Sequence, residues 1–176
     1  KSVLEESNLG KKKHEKGAGS TPATVQLEQA GISFKTYEYA HSNDHMDDGY
    51  GVEAATKLGF DEHQVFKTLM ADTGSERVVG VVPVSGHMDL KALAAAVGAK
   101  KAAMADPKVA MRESGYVVGG ISPLGQRTHH KTVLDESALQ YSEILLSGGK
   151  RGFSIGINPN DLLKVLDGVA APIGTR

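Results

Sequence analysis

At 176 residues with 40% hydrophobic side chains, the chain has the length of one domain and enough apolar matter for a core. Twenty basic residues against twenty-one acidic ones leave a formal charge of −1, so there is no global basic field and a nucleic-acid partner has to be met by a local patch. The absence of cysteine excludes disulfides, thiolate metal sites and a cysteine nucleophile, and no apolar run reaches the roughly 18–20 residues of a membrane span.

Residues 1–20, with Lys11-Lys12-Lys13-His14-Glu15-Lys16 at their centre, are polar, basic and almost without buriable side chains. They are expected to form a flexible arm, read either as a basic tail against RNA or as a solvated extension, ahead of a single domain over 21–176. They lack the basic-then-apolar order of a signal peptide, so the protein is expected in the cytoplasm. Thr21-Pro22 sets a cap hydroxyl before a proline at the first helical position, and Gly31 is the expected stop. Ile32 to Ala40 alternates as a half-buried strand does, and Tyr50 to Leu58, ended by Gly59, suits a short helix. Val65–Thr73 and Arg77–Ser85 read as two strands joined by a hairpin-type turn. Asp89 caps an alanine-rich helix over Leu90–Val97, Lys101–Ala105 reads as a short strand, and Asp106-Pro107 starts a helix that Gly115 stops. Strand-like runs follow at Tyr116–Val118, Lys131–Asp135, Ile144–Leu146 and Phe153–Ile157, and Asn158-Pro159 opens a last helix. Short strands and helices in mixed order predict a mixed α/β fold whose sheet is curled and barrel-like, not a regular βαβ winding.

Several familiar motifs fail. Gly49-Tyr50-Gly51-Val52-Glu53-Ala54 matches a loose dinucleotide fingerprint, but no buried strand precedes it. His41, Asp44, His45, Asp47 and Asp48 are the densest group of metal-ligand types. A calcium loop there would need an oxygen ligand at Met46 and a carboxylate at Ala55, and a zinc pair at His41 and His45 lacks a third ligand, so the segment reads as a solvated loop. His129-His130 reads as an exposed turn. With no nucleophile elbow, no His-Glu-x-x-His and no phosphate-binding lysine loop, neither metal nor cofactor is expected. An enzyme of this composition works by positioning, desolvation and main-chain donors on a reactive substrate, such as an activated ester.

Two glycine-rich stretches carry most of the remaining information. Gly119-Gly120-Ile121-Ser122-Pro123-Leu124-Gly125 follows Tyr116-Val117-Val118, and Ser147-Gly148-Gly149-Lys150-Arg151-Gly152 follows Ile144-Leu145-Leu146. Paired glycines at a strand exit are either tight turns or loops whose bare N–H groups hold an anion or a developing oxyanion. Two of them, the second bearing Lys150 and Arg151, favour an anion site. Lys67 is the lone charge in Val65-Phe66-Lys67-Thr68-Leu69-Met70, and it either snorkels from a strand edge or points at a bound anion.

Taken together, Val65-Phe66-Lys67-Thr68-Leu69, Ala105-Asp106-Pro107, the string Gly115 to Gly125 and the string Ser147 to Gly152 resemble the YbaK/EbsC family of aminoacyl-tRNA deacylases, over about Thr21 to Pro172. The branch they look most like removes cysteine from mischarged proline tRNA. The resemblance implies the fold of the prolyl-tRNA synthetase editing domain, and hydrolysis in which the substrate's own thiol attacks its ester. It also implies a catalytic set of Lys67, Gly119, Gly120 and Ser147. Its implied substrate contacts are Tyr39, Tyr50, Thr68, Ile121, Ser122, Gly148, Gly149, Lys150 and Arg151. The implied partners are the acceptor end of an aminoacyl-tRNA and a prolyl-tRNA synthetase. Relatives of the cysteine branch often carry aspartate where this chain has Ser154, which opens the aminoacyl preference to another small group such as alanine. A module that binds acceptor ends or a synthetase without catalysis is the reading from a different class.

Overall fold

In the computed structural model of the chain, residues 19–42 and 49–175 are described. The arm expected over residues 1–20 falls outside them except for Gly19 and Ser20, and so do Asp44, His45, Asp47 and Asp48.

The helices begin and end where their punctuation dictates. In α1 (Pro22–Gln29) the Thr21 hydroxyl accepts from Thr24 N–H while the Thr24 hydroxyl accepts from Thr21 N–H, a reciprocal cap with proline next in line. The helix α2 (Tyr50–Leu58) stops at Gly59 in the left-handed conformation. The Asp89 carboxylate caps α3 (Leu90–Ala96), Asp106 caps α4 (Pro107–Ser114), and Asn158 caps α5 (Pro159–Leu166).

The strands are β1 (Lys35–Glu38), β2 (Phe66–Asp72), β3 (Arg77–Pro83), β4 (His87–Met88), β5 (Ala103–Met104), β6 (Lys131–Asp135), β7 (Ile144–Lys150), β8 (Phe153–Ile157), β9 (Val169–Ala171) and β10 (Gly174–Thr175). A five-stranded mixed sheet runs β9-β6-β3-β2-β5, with β3–β6 and β6–β9 parallel and the other pairs antiparallel. A three-stranded antiparallel sheet runs β1-β8-β7, and β4 pairs with β10. The two larger sheets meet at one corner, where Val65 bridges Leu145 and Leu145 N–H donates to Gln64 at 3.1 Å. That corner supplies the curl, and the described strands do not close into a ring.

Alternation along β3 divides the interior. Val79 and Val81 join Phe66, Met70, Leu146, Ile155 and helix residues Leu27 and Leu162 in the core between the sheets. Val78 and Val82 face the other way, onto Leu93 of α3 and Ile173. A third cluster, Ala55, Val65, Val84 and Leu145, seats α2 on the corner.

One predicted strand is absent. Tyr116–Val118 is a loop: Tyr116 is buried and donates its hydroxyl to the Leu124 carbonyl at 2.6 Å, whereas Val117 and Val118 face outward. An apolar, β-prone triplet forms no strand where no neighbour offers a ladder. Ile32–Ala40 likewise contributes only four residues to the sheet, those with a partner on β8.

Candidate functional site

A cavity of about 340 Å³ opens at the junction of β2, β7, β8, α2 and the start of α4, within the range that holds small ligands. One of its walls is a strand edge. β2 pairs with β5 only through Ala71 and Asp72, so beyond the Val65–Leu145 bridge Lys67 to Leu69 have no strand partner on that side. Met70 turns its carbonyl to that edge, accepting from Ala105 N–H at 3.0 Å. Residues two apart in an antiparallel strand turn their N–H and C=O the same way, so the main-chain groups of Thr68 also face the bare edge.

Lys67 lies on this wall. Its ammonium has no hydrogen-bond or ion-pair partner among the described residues, and burial lowers its pKa from the usual lysine range. A cation half-withdrawn from water and left without a counter-charge is poised for an anion. The Thr68 hydroxyl oxygen is buried with no partner among the described residues. Across the cavity, Ser147 on β7 stands directly opposite Ser154 on β8, which puts both side chains on one face. Ser147 Oγ accepts from Gly149 N–H at 3.1 Å and keeps its own proton for donation.

The mouth is assembled from side chains. Tyr50, in the first turn of α2, lies over Gly119, where a Cβ would come within 2.6 Å of the ring; Gly119 has φ 90°, so glycine is required twice over. His41 stacks on the Tyr50 ring at 5.6 Å and the Arg151 guanidinium sits 5.0 Å from its centroid. Glu53, one turn further along α2, is buried. Its carboxylate meets His41 Nδ1 at 2.8 Å and Ser42 N–H at 2.8 Å, with Lys57 Nζ at 3.6 Å. Burial would raise its pKa, but the hydrogen bonds from His41 and Ser42 and the nearby Lys57 charge hold it below the ordinary carboxylate value. Tyr39, whose N–H donates to Gly152 at 3.0 Å, completes this side, its hydroxyl pushed up by burial and then by Glu53.

Of the residues expected from sequence, Lys67, Thr68, Gly119, Ile121, Ser147, Lys150, Tyr39 and Tyr50 line the cavity. Gly120, Ser122, Gly148, Gly149 and Arg151 are not on its wall. Gly120 is where the two glycine segments touch, since a Cβ there would be 2.8 Å from Lys150 Cα. Its N–H is bonded to Val117 at 2.9 Å, and that of Gly149 to Ser147, so neither is a free oxyanion donor. Gly148 packs on the Phe153 ring and accepts from the Thr21 hydroxyl at 2.5 Å. Ser122 is fully buried and holds Leu124 N–H. Arg151 donates Nε to the Val118 carbonyl at 2.9 Å, tying one segment to the other. The second segment is not a loop after a strand: β7 runs on through it to Lys150 with a register shift between Ser147 and Lys150.

Two histidine readings change. His41, expected in a solvated loop, is bonded to the buried Glu53. His129 is exposed, but His130 is buried, with Nε2 at 2.8 Å from Glu113 and Nδ1 at 2.7 Å from Gln126. Gln126 in turn donates to Ser122, and Arg77 donates Nε to Glu113 at 2.7 Å. This network anchors the far side of the first glycine segment to β3 and α4. The sequence reading missed Glu53, although a carboxylate within Val52-Glu53-Ala54-Ala55 was the signal.

Residues 49–165 match the model of the aminoacyl-tRNA editing domain family. A protein of Enterococcus faecalis named "Putative Cys-tRNA(Pro)/Cys-tRNA(Cys) deacylase EbsC" is 39% identical over 159 residues, 89% of this chain and 94% of that one. Among solved structures, "a putative trans-editing enzyme for prolyl tRNA synthetase" superposes with a TM-score of 0.78 at 23% identity, over 92% of this chain and all of that one. "Hypothetical protein APE2540" gives a TM-score of 0.78 at 20% identity, over 88% of this chain and all of that one. These two share the fold. Among the described residues no helix is long and apolar enough to cross a membrane.

Proposed function

The chain belongs to the aminoacyl-tRNA editing domain family, and from that premise we propose that it is a trans-editing deacylase that hydrolyses cysteine mischarged onto proline tRNA. The observation that carries this reading is the pairing of Lys67, an unpartnered ammonium on one cavity wall, with the bare edge of β2 beside it. An aminoacyl ester bound there puts its terminal phosphodiester against Lys67. Its carbonyl oxygen meets the Thr68 N–H, which takes the donor role that Gly120 and Gly149 cannot fill. Gly119, on the opposite wall, closes the pocket over the side chain, and Ser147 and Ser154 are placed to bind the α-amine.

Among the described residues no nucleophilic triad lines this cavity, whereas a cysteinyl ester carries its nucleophile with it. Its sulfur attacks its own carbonyl carbon; the S–C bond forms as the ester C–O bond breaks. The thiol proton ends on the departing ribose oxygen, and water then opens the cyclic thioester to free cysteine. The protein's task is to hold the ester folded, exclude other conformers and stabilise the oxyanion.

The test is the purified protein with a panel of aminoacyl-tRNAs, each scored for ester loss. Cys-tRNA(Pro) is expected to be cleaved much faster than Ser-tRNA(Pro), which has nearly the same shape and a poorer nucleophile. Equal rates on the two would overturn the thiol-assisted reading and point to an activated water. A preference for alanine would follow from Ser154, a weaker amine partner than the aspartate of relatives. Assay with and without prolyl-tRNA synthetase decides whether that enzyme is a partner.

A further inference from the structure

Exposed apolar side chains are informative when they cluster, and three of the six large ones among the described residues lie on or next to the cavity lining. Met104 and Val118 are on the lining and Val117 is next to it, with exposures of 50%, 39% and 53%. The same stretch of chain is locally basic. From just before β5 to the end of α4 the exposed Lys101, Lys108 and Arg112 have no ion-pair partner among the described residues. Its acids are engaged: Asp106 caps α4 through Lys108 N–H, and Glu113 is held by Arg77 and His130. Lys108 and Arg112 are four apart and so share one face of α4, whose Pro107 and Ala110 line the cavity. A chain of net charge −1 thus keeps a locally positive stretch next in sequence to residues that line the opening to Lys67.

We propose that this rim is the track for the single-stranded 3′ end of the RNA whose ester enters the cavity, a refinement that rests on the reading above. Charge and apolarity together select the occupant. A single strand offers unstacked base faces for Met104, Val117 and Val118 and a phosphate at every nucleotide for Lys101, Lys108 and Arg112. A duplex hides its base faces, and an apolar protein surface has no call on three unpaired cations. The proximity of that stretch to the lining residues also gives the neutral chain its means of holding RNA without a global field.

The test is direct binding of a 3′-labelled single-stranded RNA of about eight nucleotides, measured across a salt series, which needs no catalysis. The parent is compared with the surface variant K101Q/K108Q/R112Q and with V117S, after checking that each keeps the parent melting temperature. The triple variant should lose roughly tenfold in affinity at low salt, and its slope of log affinity against log salt should fall by about two, at about 0.7 per phosphate contact on a single strand. V117S should weaken binding a few-fold with the slope unchanged. Cleavage of cysteinyl-adenosine, which has no strand to track, should be the same in parent and variants, while cleavage of Cys-tRNA falls in the triple variant. Unchanged affinity and slope would overturn the track, as would a defect that shows only in synthetase association. Failure of every ester to react would instead overturn the deacylase reading and leave the binding result to decide the track.

Discussion

Lys67, Ser147 and Ser154 stand on strands whose neighbours bond to them through the main chain, whereas Tyr50 stands at the first turn of α2 and is held over Gly119 by contacts from His41 and Arg151. The first wall owes its geometry to ladders that form whatever the local side chains are. The second owes it to a relay, Glu53 to His41 to Tyr50, that exists only while each side chain is present. The same cavity is therefore fixed on one side and adjustable on the other. Side chains at the mouth can thus change without moving the strand wall.

If the division is right, loss of the strand-wall cation should cost chemistry and little else. Lys67→Ala is expected to slow single-turnover deacylation at saturating enzyme by about 10²–10³, because an ammonium that holds the phosphodiester also favours the negative charge building on the adjacent ester carbonyl. Its melting temperature should not fall, because a half-buried, unpartnered ammonium is removed. A rate within twofold of the parent would return Lys67 to a surface role. On the mouth side, Glu53→Gln keeps the shape of the side chain and removes the charge that holds His41. An increase in KM of about fivefold with kcat nearly unchanged is expected, as for lost substrate positioning. In a Tyr50→Ala background the same change should add nothing, since the relay already ends there. An equal effect in both backgrounds would mean Glu53 acts on stability alone.

The smallest effect belongs outside the cavity. Hydrogen bonds from Arg77 and His130 lower Glu113 from the usual carboxylate range to about 2. A carboxyl held down in the folded state adds stability that is complete above its unfolded pKa and is lost as pH falls from there toward about 2. Glu113→Gln should thus lower the melting temperature by a few degrees near neutrality, and the gap to the parent should close in acid. Deacylation per folded molecule should barely move. A gap that is independent of pH would show that packing, not charge, holds the first glycine segment.

The local part of this architecture was legible in the sequence because caps act within a few residues. Thr21-Pro22, Asp106-Pro107 and Asn158-Pro159 each open a helix, and Gly59 and Gly115 each close one. Pairings decided at long range were not. The strands β4, β9 and β10 are two or three residues long and exist because of what lies beside them, such as the Asp135 carboxylate that gathers Ile173 and Gly174 N–H. Tyr116–Val118 has the composition of a strand and no partner to make it one. In the site, Lys67 was legible as a lone cation among apolar neighbours. The Glu53–His41 bond spans twelve residues and the six between 43 and 48, so no local pattern announces it. The bare edge of β2 is a property of topology, since it depends on β5 ending after two residues.

That bare edge has a second consequence. Unpaired strand edges are the places where sheets recruit other chains and begin to aggregate. Here the open stretch from Lys67 to Leu69 is walled in by Tyr50 and Val52 of α2 and by Val118, Gly119 and Ile121, in a space of about 340 Å³. A small ester can reach its N–H and C=O groups, but a foreign strand cannot lie alongside them. The fold keeps reactive main-chain groups available to a ligand while denying them to its own misfolded copies. Trimming the roof, for example by Tyr50→Gly, should therefore show itself first as a tendency to self-associate through this edge.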